Sequence, residues 1–122
     1  MRRLAGYAAL FDVADAAGDI IRRGAFSQAI AEAVELPLLW QHRPAQRIGW
    51  IEAVAEDARG LRVIARLDPD LRPRDANGLS FGYRARRYRP LPDGRVLEDI
   101  DLFEVSLVTH PLQFGARIHL TK

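Results

Sequence analysis

Three side chains in this sequence are of the types that acyl-transfer chemistry uses. Ser80 lies in GLSFGY, His42 ends PLLWQH, and Glu104 lies in EDIDLFEVSLVTHP. Read as a strand, Leu79, Phe81, Tyr83 and Ala85 point one way, and Ser80, Gly82, Arg84 and Arg86 point the other. The apolar set faces a core, and Ser80 stands on the opposite face beside a glycine with no side chain to cover it. A hydroxyl fixed by a strand and still reachable suits a nucleophile; taken alone, the stretch reads more simply as an ordinary serine on a solvated strand face. Glu104 sits in a strand whose two faces are both largely apolar, so it is expected to be buried on both sides. A carboxylate there needs a partner. One of the many arginines would serve, and so would His42, held through its Nδ1 proton. In the second case Ser80, His42 and Glu104 form a triad. His42 Nε2 takes the serine proton as the hydroxyl attacks a carbonyl, and Glu104 fixes the tautomer and stabilises the imidazolium. The chain order His, Ser, Glu is no obstacle, because triads are defined by geometry.

The remaining candidates are fewer. Ser106 is a rival nucleophile, but its apolar strand favours hydrogen bonding in the core. Ser27 falls on the helix, away from any base. Oxyanion donors are sought in the backbone near Gly82 or in a water held by Arg84 or Arg86; for the two arginines a solvated strand face is the simpler role. The chain has no cysteine and three histidines, His42, His110 and His119, without ligand spacing. No metal site and no cofactor is therefore expected.

These side chains need strands to hold them. Leu4 to Phe11 reads as a first strand, followed by the loop VADAAGD and a short strand at Ile20 and Ile21. Gly24 opens a helix over roughly Ala25 to Val34, with Phe26, Ile30, Ala33 and Val34 on one face. Leu36 to Gln41 is the next strand, with His42 at its end, on the face of Trp40 and before a turn at Arg43-Pro44. Ile48 to Ala55 and Leu61 to Leu67 are two strands joined by a polar turn. Asp68 to Gly78 is a loop. The Ser80 strand runs to about Arg89 with a bulge near Arg86-Arg87-Tyr88. Pro92-Asp93-Gly94 is a hairpin turn, Val96 to Thr109 is a long return strand, and GARIHLTK is a tail. Seven or eight strands and one convincing helix predict a mainly β, α+β chain: a small antiparallel barrel with one or two peripheral helices.

The 122 residues suit one domain, 1–122. No apolar run is long enough to span a bilayer, and the N-terminal stretch lacks a cleavage pattern, so a cytosolic protein is expected. Net charge is only +2, and Lys122 is the sole lysine among 18 basic residues. Arginine suits phosphate or carboxylate recognition, but the small net charge argues against a dedicated nucleic-acid binder.

Several pieces, in order, resemble the prohead maturation proteases of tailed bacteriophages, whose fold is similar to that of the herpesvirus assemblin proteases. GYAALFDVAD with IIRRGAFSQAI resembles the family's opening strand, loop and helix. PLLWQH with RIGWI resembles the segment carrying the catalytic histidine, here His42. GLSFGYR resembles the nucleophile segment, here Ser80, and LFEVSLVTHPL the segment of the acidic third member, here Glu104. The herpesvirus enzymes use a second histidine as third member, which makes His110 the runner-up for that role. The chain departs from the family between Leu67 and Gly78, where relatives usually carry a longer helical insertion and this sequence has only DPDLRPRDAN.

The resemblance implies a serine endopeptidase inside the immature capsid, in the cytoplasm of a bacterial host. Its substrate would be the scaffolding segment of the major capsid protein, and a further substrate the protease itself. A homodimer is open, and no membrane partner is implied. Two other readings compete. One is a module of the same fold that assists capsid assembly without turnover. The other is an arginine-rich barrel binding nucleic acid through Arg84, Arg86, Arg87 and Arg89, with the steep salt dependence that entails.

Overall fold

Alternating apolar residues make strands of most of this chain, and the strands join into one curled sheet. The computed structural model describes residues 2–32, 35–69 and 76–121. In chain order the elements are β1 (Arg2–Leu10), β2 (Ile20–Ile21), α1 (Ser27–Ala31), β3 (Pro37–Trp40), β4 (Arg43–Glu56), β5 (Gly60–Leu67), β6 (Gly78–Leu91), β7 (Gly94–Val108) and β8 (Ile118–Thr121). The eight-stranded sheet runs β2-β7-β3-β4-β5-β1-β8, with β6 on the other side of β7. Leu79 N–H donates to Ala116 O at 2.8 Å, and Ile118 N–H donates to Asn77 O at 2.9 Å. These bonds join the start of β6 to the approach of β8, so the curled sheet meets itself there as a barrel.

Most pairings are antiparallel, as expected, but β2 and β3 both run parallel to β7. The expected tail is a strand: β8 pairs with β1, Ala5 opposite Leu120. Its residues lack the length and alternation that mark an isolated strand, and the neighbouring edge of β1 supplies the pairing. The helix is shorter than its apolar spacing implies, with α1 covering Ser27–Ala31. Ala33, Val34 and residues 70–75, where the family's helical insertion was in question, lie outside the described residues. Among the described residues no helix is long and apolar enough to cross a membrane.

The core lies inside the curl. Leu4, Leu38, Leu61, Val63, Leu79, Leu97, Ile100, Val105 and Leu107 are all buried in it. Phe26, just before α1, is fully buried between Phe11 and Phe81, with ring centroids at 6.4 and 5.3 Å. That packs the residue entering α1 against Phe81 of β6, the strand that carries Ser80. The β6–β7 hairpin closes at Pro92-Asp93, Leu91 opposite Gly94, and bulges at Arg86 as expected. A second irregularity lies on β7, where Gly82 pairs with Glu104 and Tyr83 with Leu102, leaving Phe103 unpaired.

Candidate functional site

The bulge at Phe103 decides how Glu104 is presented. An extra residue in one strand swings its neighbours out of strict alternation. Phe103 turns outward and is 54% exposed, whereas Val105 and Leu107 are fully buried. The expectation that this strand is buried on both faces along its length therefore fails at the bulge. The Glu104 side chain keeps 13% of its surface, enough to remain at the rim of the barrel.

His42 lies in the turn joining two strands, a correction to its expected place at a strand end. Trp40 pairs directly with Arg43, so the two residues between them, Gln41 and His42, are the whole turn. Both have positive φ, 52° and 59°, the pattern of a type I′ hairpin. Glycine or asparagine is usual at such positions, and other residues cost about 1 kcal/mol or more each. The Arg43-Pro44 pair looks like a turn, because proline favours turns, but it begins β4. What holds the strained turn is its docking on β7. Gln41 N–H donates to Leu107 O at 3.0 Å. The Gln41 amide group donates to Thr109 Oγ1 at 3.3 Å and accepts from Thr109 N–H at 3.2 Å. His42 N–H donates to Ser106 Oγ at 3.1 Å.

The imidazole then meets the carboxylate. His42 Nδ1 lies 2.6 Å from Glu104 Oε1, and an ionised carboxylate accepts only, so Nδ1 carries the proton and Nε2 presents a lone pair. Ser106 Oγ donates to Glu104 Oε2 at 2.7 Å. The hydrogen bond from Glu104 raises the His42 pKa above its ordinary value, its charge adds to the rise, and partial burial opposes it.

Gly82 explains itself at this site. A Cβ there would run into Glu104 Oε1 and lie 2.9 Å from both Cδ and Cγ. The glycine beside the serine is the floor over which the carboxylate lies. Ser80 pairs with Ser106 across the β6–β7 ladder, which sets the two Cβ atoms about 5 Å apart on one face. That face is covered. Ser106 is fully buried and Ser80 is 4% exposed, so Ser80 is not the solvent-face residue that alternation suggests. The Gln41–His42 turn docks on this end of β7, where the His42 N–H reaches Ser106 Oγ. Among the described residues the Ser80 hydroxyl makes no hydrogen bond to any partner, His42 included. In apo sites the serine–histidine contact is often long and tightens with substrate.

His42, Glu104, Ser106, Gly82 and Ser80 thus converge. The other candidates do not. Arg84 donates to Asp101 at 2.8 Å, and Arg86 donates to the same carboxylate at 3.1 Å. Asp99 and Glu32 add longer ion pairs to Arg86. These guanidinium groups belong to an ion-paired strand surface. His110 lies exposed in the bend after β7, and the partner of His42 is Glu104. Among the described residues no cluster of histidine and carboxylate side chains could hold a metal ion. Sequence reasoning assigned Ser106 to core hydrogen bonding, and that is what it does. It missed the acceptor role of Ser106 toward the His42 backbone, which no spacing signals.

A family model described as caudovirus prohead serine protease matches residues 1–122. The prohead protease of Enterobacteria phage HK97 is 32% identical over 132 residues, covering 96% of this chain and 59% of that protein. The chain thus spans under two thirds of that relative's length. Among solved structures, the varicella-zoster virus protease superimposes with a TM-score of 0.67 at 16% identity, over 96% of this chain and 62% of that one. A KSHV protease in complex with a hexapeptide phosphonate inhibitor gives 0.64 at 11% identity, over 99% of this chain and 64% of that one. At those identities the likeness is one of fold.

Proposed function

The chain belongs to the caudovirus prohead serine protease family, and from that premise we propose that it is a serine endopeptidase with Ser80 as nucleophile, His42 as base and Glu104 as the group that orients His42. The observation that carries the reading is the 2.6 Å contact between His42 Nδ1 and Glu104 Oε1, which leaves Nε2 as the acceptor of the imidazole. His42 Nε2 takes the proton of Ser80 as its oxygen attacks the scissile carbonyl. Glu104 stabilises the imidazolium that forms, and the imidazolium returns the proton to the leaving amine. The acyl-enzyme is then hydrolysed by a water that gives its proton to the same nitrogen.

The substrate we infer is the scaffolding segment of the major capsid protein, cut inside the immature capsid in the bacterial host, with the protease itself as a second target; family membership supports a capsid protein as the kind of substrate. Confinement raises the effective concentration of enzyme and substrate. The open side of β6 suits an extended chain. Leu79 N–H points away from β7, toward Ala116 O. Alternation turns the amides of Phe81 and Tyr83 the same way, where no strand pairs with them among the described residues. An extended peptide adding to that edge would run past Ser80. The nucleic-acid reading has less support, because Arg84, Arg86 and Arg89 face Asp101, Asp99 and Glu98.

The test is co-expression with the major capsid protein, recording its intact mass with the wild-type chain and with Ser80→Ala. A capsid protein shortened only by the wild type supports the assignment and gives the cleavage site. Equal shortening by both overturns it, and full-length protein in both, with assembled shells present, favours the assembly module without turnover.

A further inference from the structure

Two serines face each other across the β6–β7 ladder, Ser80 and Ser106, yet their hydroxyls are in opposite situations. Ser106 is fully buried and has both sides of its hydroxyl committed. A backbone N–H only donates, so toward His42 the oxygen of Ser106 accepts, at 3.1 Å. An ionised carboxylate only accepts, so the one proton of Ser106 goes to Glu104 Oε2, at 2.7 Å. The orientation of this hydroxyl therefore follows from its partners. The Ser80 hydroxyl makes no such bond among the described residues.

The consequence is a closed ring of contacts. Ser106 Oγ holds the His42 backbone at one end and Oε2 of Glu104 at the other, and Glu104 Oε1 returns to His42 Nδ1 at 2.6 Å. The carboxylate is gripped at both oxygens, and the base is gripped at both its backbone and its ring. The turn that carries His42 has two non-glycine residues at positive φ, which persist only where the surroundings over-determine them. We propose that Ser106 is a positioning residue of the hydrolytic site: it sets the backbone of the base and the plane of the orienting carboxylate with a single hydroxyl, and for that reason is not itself the nucleophile. This rests on the serine-protease reading given above.

Ser106→Ala removes the hydroxyl and leaves Oε2 and the His42 N–H without their partner. Misplacement of a catalytic group by about 1 Å costs about a hundredfold in rate, so kcat is expected to fall ten- to a hundredfold, with KM within about twofold because Ser106 touches no substrate. The short His42 Nδ1–Glu104 contact is expected to give a low-field Nδ1–H proton resonance in wild type, and in Ser106→Ala that resonance is expected to broaden or vanish. Ser106→Thr keeps the hydroxyl and is expected to recover most of the rate and the resonance. Thermal melts of each variant separate misfolding from misplacement, and where Ser106→Ala does not fold, Ser106→Cys, with a weak donor, takes its place. Wild-type kcat and an unchanged Nδ1–H signal in a folded Ser106→Ala protein overturn the proposal. If Ser80→Ala cleaves as well as wild type, the serine-protease reading itself has failed; if Ser80→Ala is dead while Ser106→Ala is fully active, only the positioning role has.

Discussion

Gly82→Ala adds one methyl group at the place where the site is tightest. The backbone of Gly82 is not in the left-handed region, so alanine fits its dihedrals. The difficulty is steric, because the new Cβ meets the Glu104 carboxyl group, with Cδ and Cγ at 2.9 Å. A glutamate is ordinarily flexible, but this one is tied at Oε1 by His42 and at Oε2 by Ser106. To make room it must release at least one of these bonds. A hydrogen bond to a charged group contributes about 1.5–3 kcal/mol. Losing about 2 kcal/mol of orientation slows the chemical step roughly 30-fold, and losing both bonds, about 4 kcal/mol, slows it nearly a thousandfold. The net loss of stability is about 0–2.5 kcal/mol, which leaves the fold intact. Overpacking costs about 1–3 kcal/mol, and replacing glycine by alanine returns about 0.4–1 kcal/mol by restricting the unfolded chain. The expected signature is a folded protein that is nearly inactive. The assay is the rate at which capsid protein loses mass, followed over time for wild type and Gly82→Ala at equal expression, with a thermal melt of each. A folded Gly82→Ala protein that cleaves at the wild-type rate would refute the claim that the Glu104 carboxylate over Gly82 governs the base.

Two further predictions concern charge. His42 must be neutral to accept a proton, and its pKa is raised chiefly by the Glu104 hydrogen bond; the acid limb of the cleavage profile is therefore expected above pH 6.5, the ordinary histidine value. Glu104→Gln removes the charge and leaves at most a weaker, neutral hydrogen bond against the same burial, so the limb should move to lower pH while the maximal rate falls; a limb that stays in place argues against the pairing. By linkage, the His42–Glu104 contact adds stability that is fully present below the unfolded histidine pKa and is lost as pH rises through the raised folded value. Asp19, only 7% exposed at its side chain, holds Arg95 by two hydrogen bonds of 3.2 and 2.8 Å. Breaking a buried ion pair costs about 3–5 kcal/mol, and the partly exposed guanidinium puts Asp19→Ala near the low end, about 3 kcal/mol or roughly 12 °C in Tm. The Arg95 hydrogen bond lowers the Asp19 pKa, so this contribution is present above the ordinary aspartate value and is lost as pH falls through the folded pKa. Urea melts at pH 7 and pH 3 check this: the gap between wild type and Asp19→Ala should narrow at pH 3, and an equal gap at both pH values argues against it.

Period-two alternation in the amino-acid sequence points to the strand-rich barrel, most plainly in β5, where Leu61, Val63, Ala65 and Leu67 form one buried face. The sequence also limits which residue types could do chemistry, since a chain with three histidines and no cysteine offers few bases and no thiol. Alternation along GLSFGY marks Ser80 and Gly82 as neighbours on one face. It cannot reveal that Ser80 is buried, or that the Gln41–His42 turn of another hairpin docks on Ser106 across the ladder. Nor can it place that turn, since neither Gln41 nor His42 has the local preference for positive φ that asparagine or glycine would advertise, and bonds to Leu107, Thr109 and Ser106 hold it from more than sixty residues away. The tail fails to read as a strand for the same reason, since β8 gains its hydrogen bonds from β1. Residue types and their faces are local properties, written in the spacing of the chain. The meeting of His42, Glu104, Ser106 and Ser80 depends on the parallel pairing of β3 with β7, the register of β6 against β7 and the bulge at Phe103, and those exist only once the sheet has curled and closed.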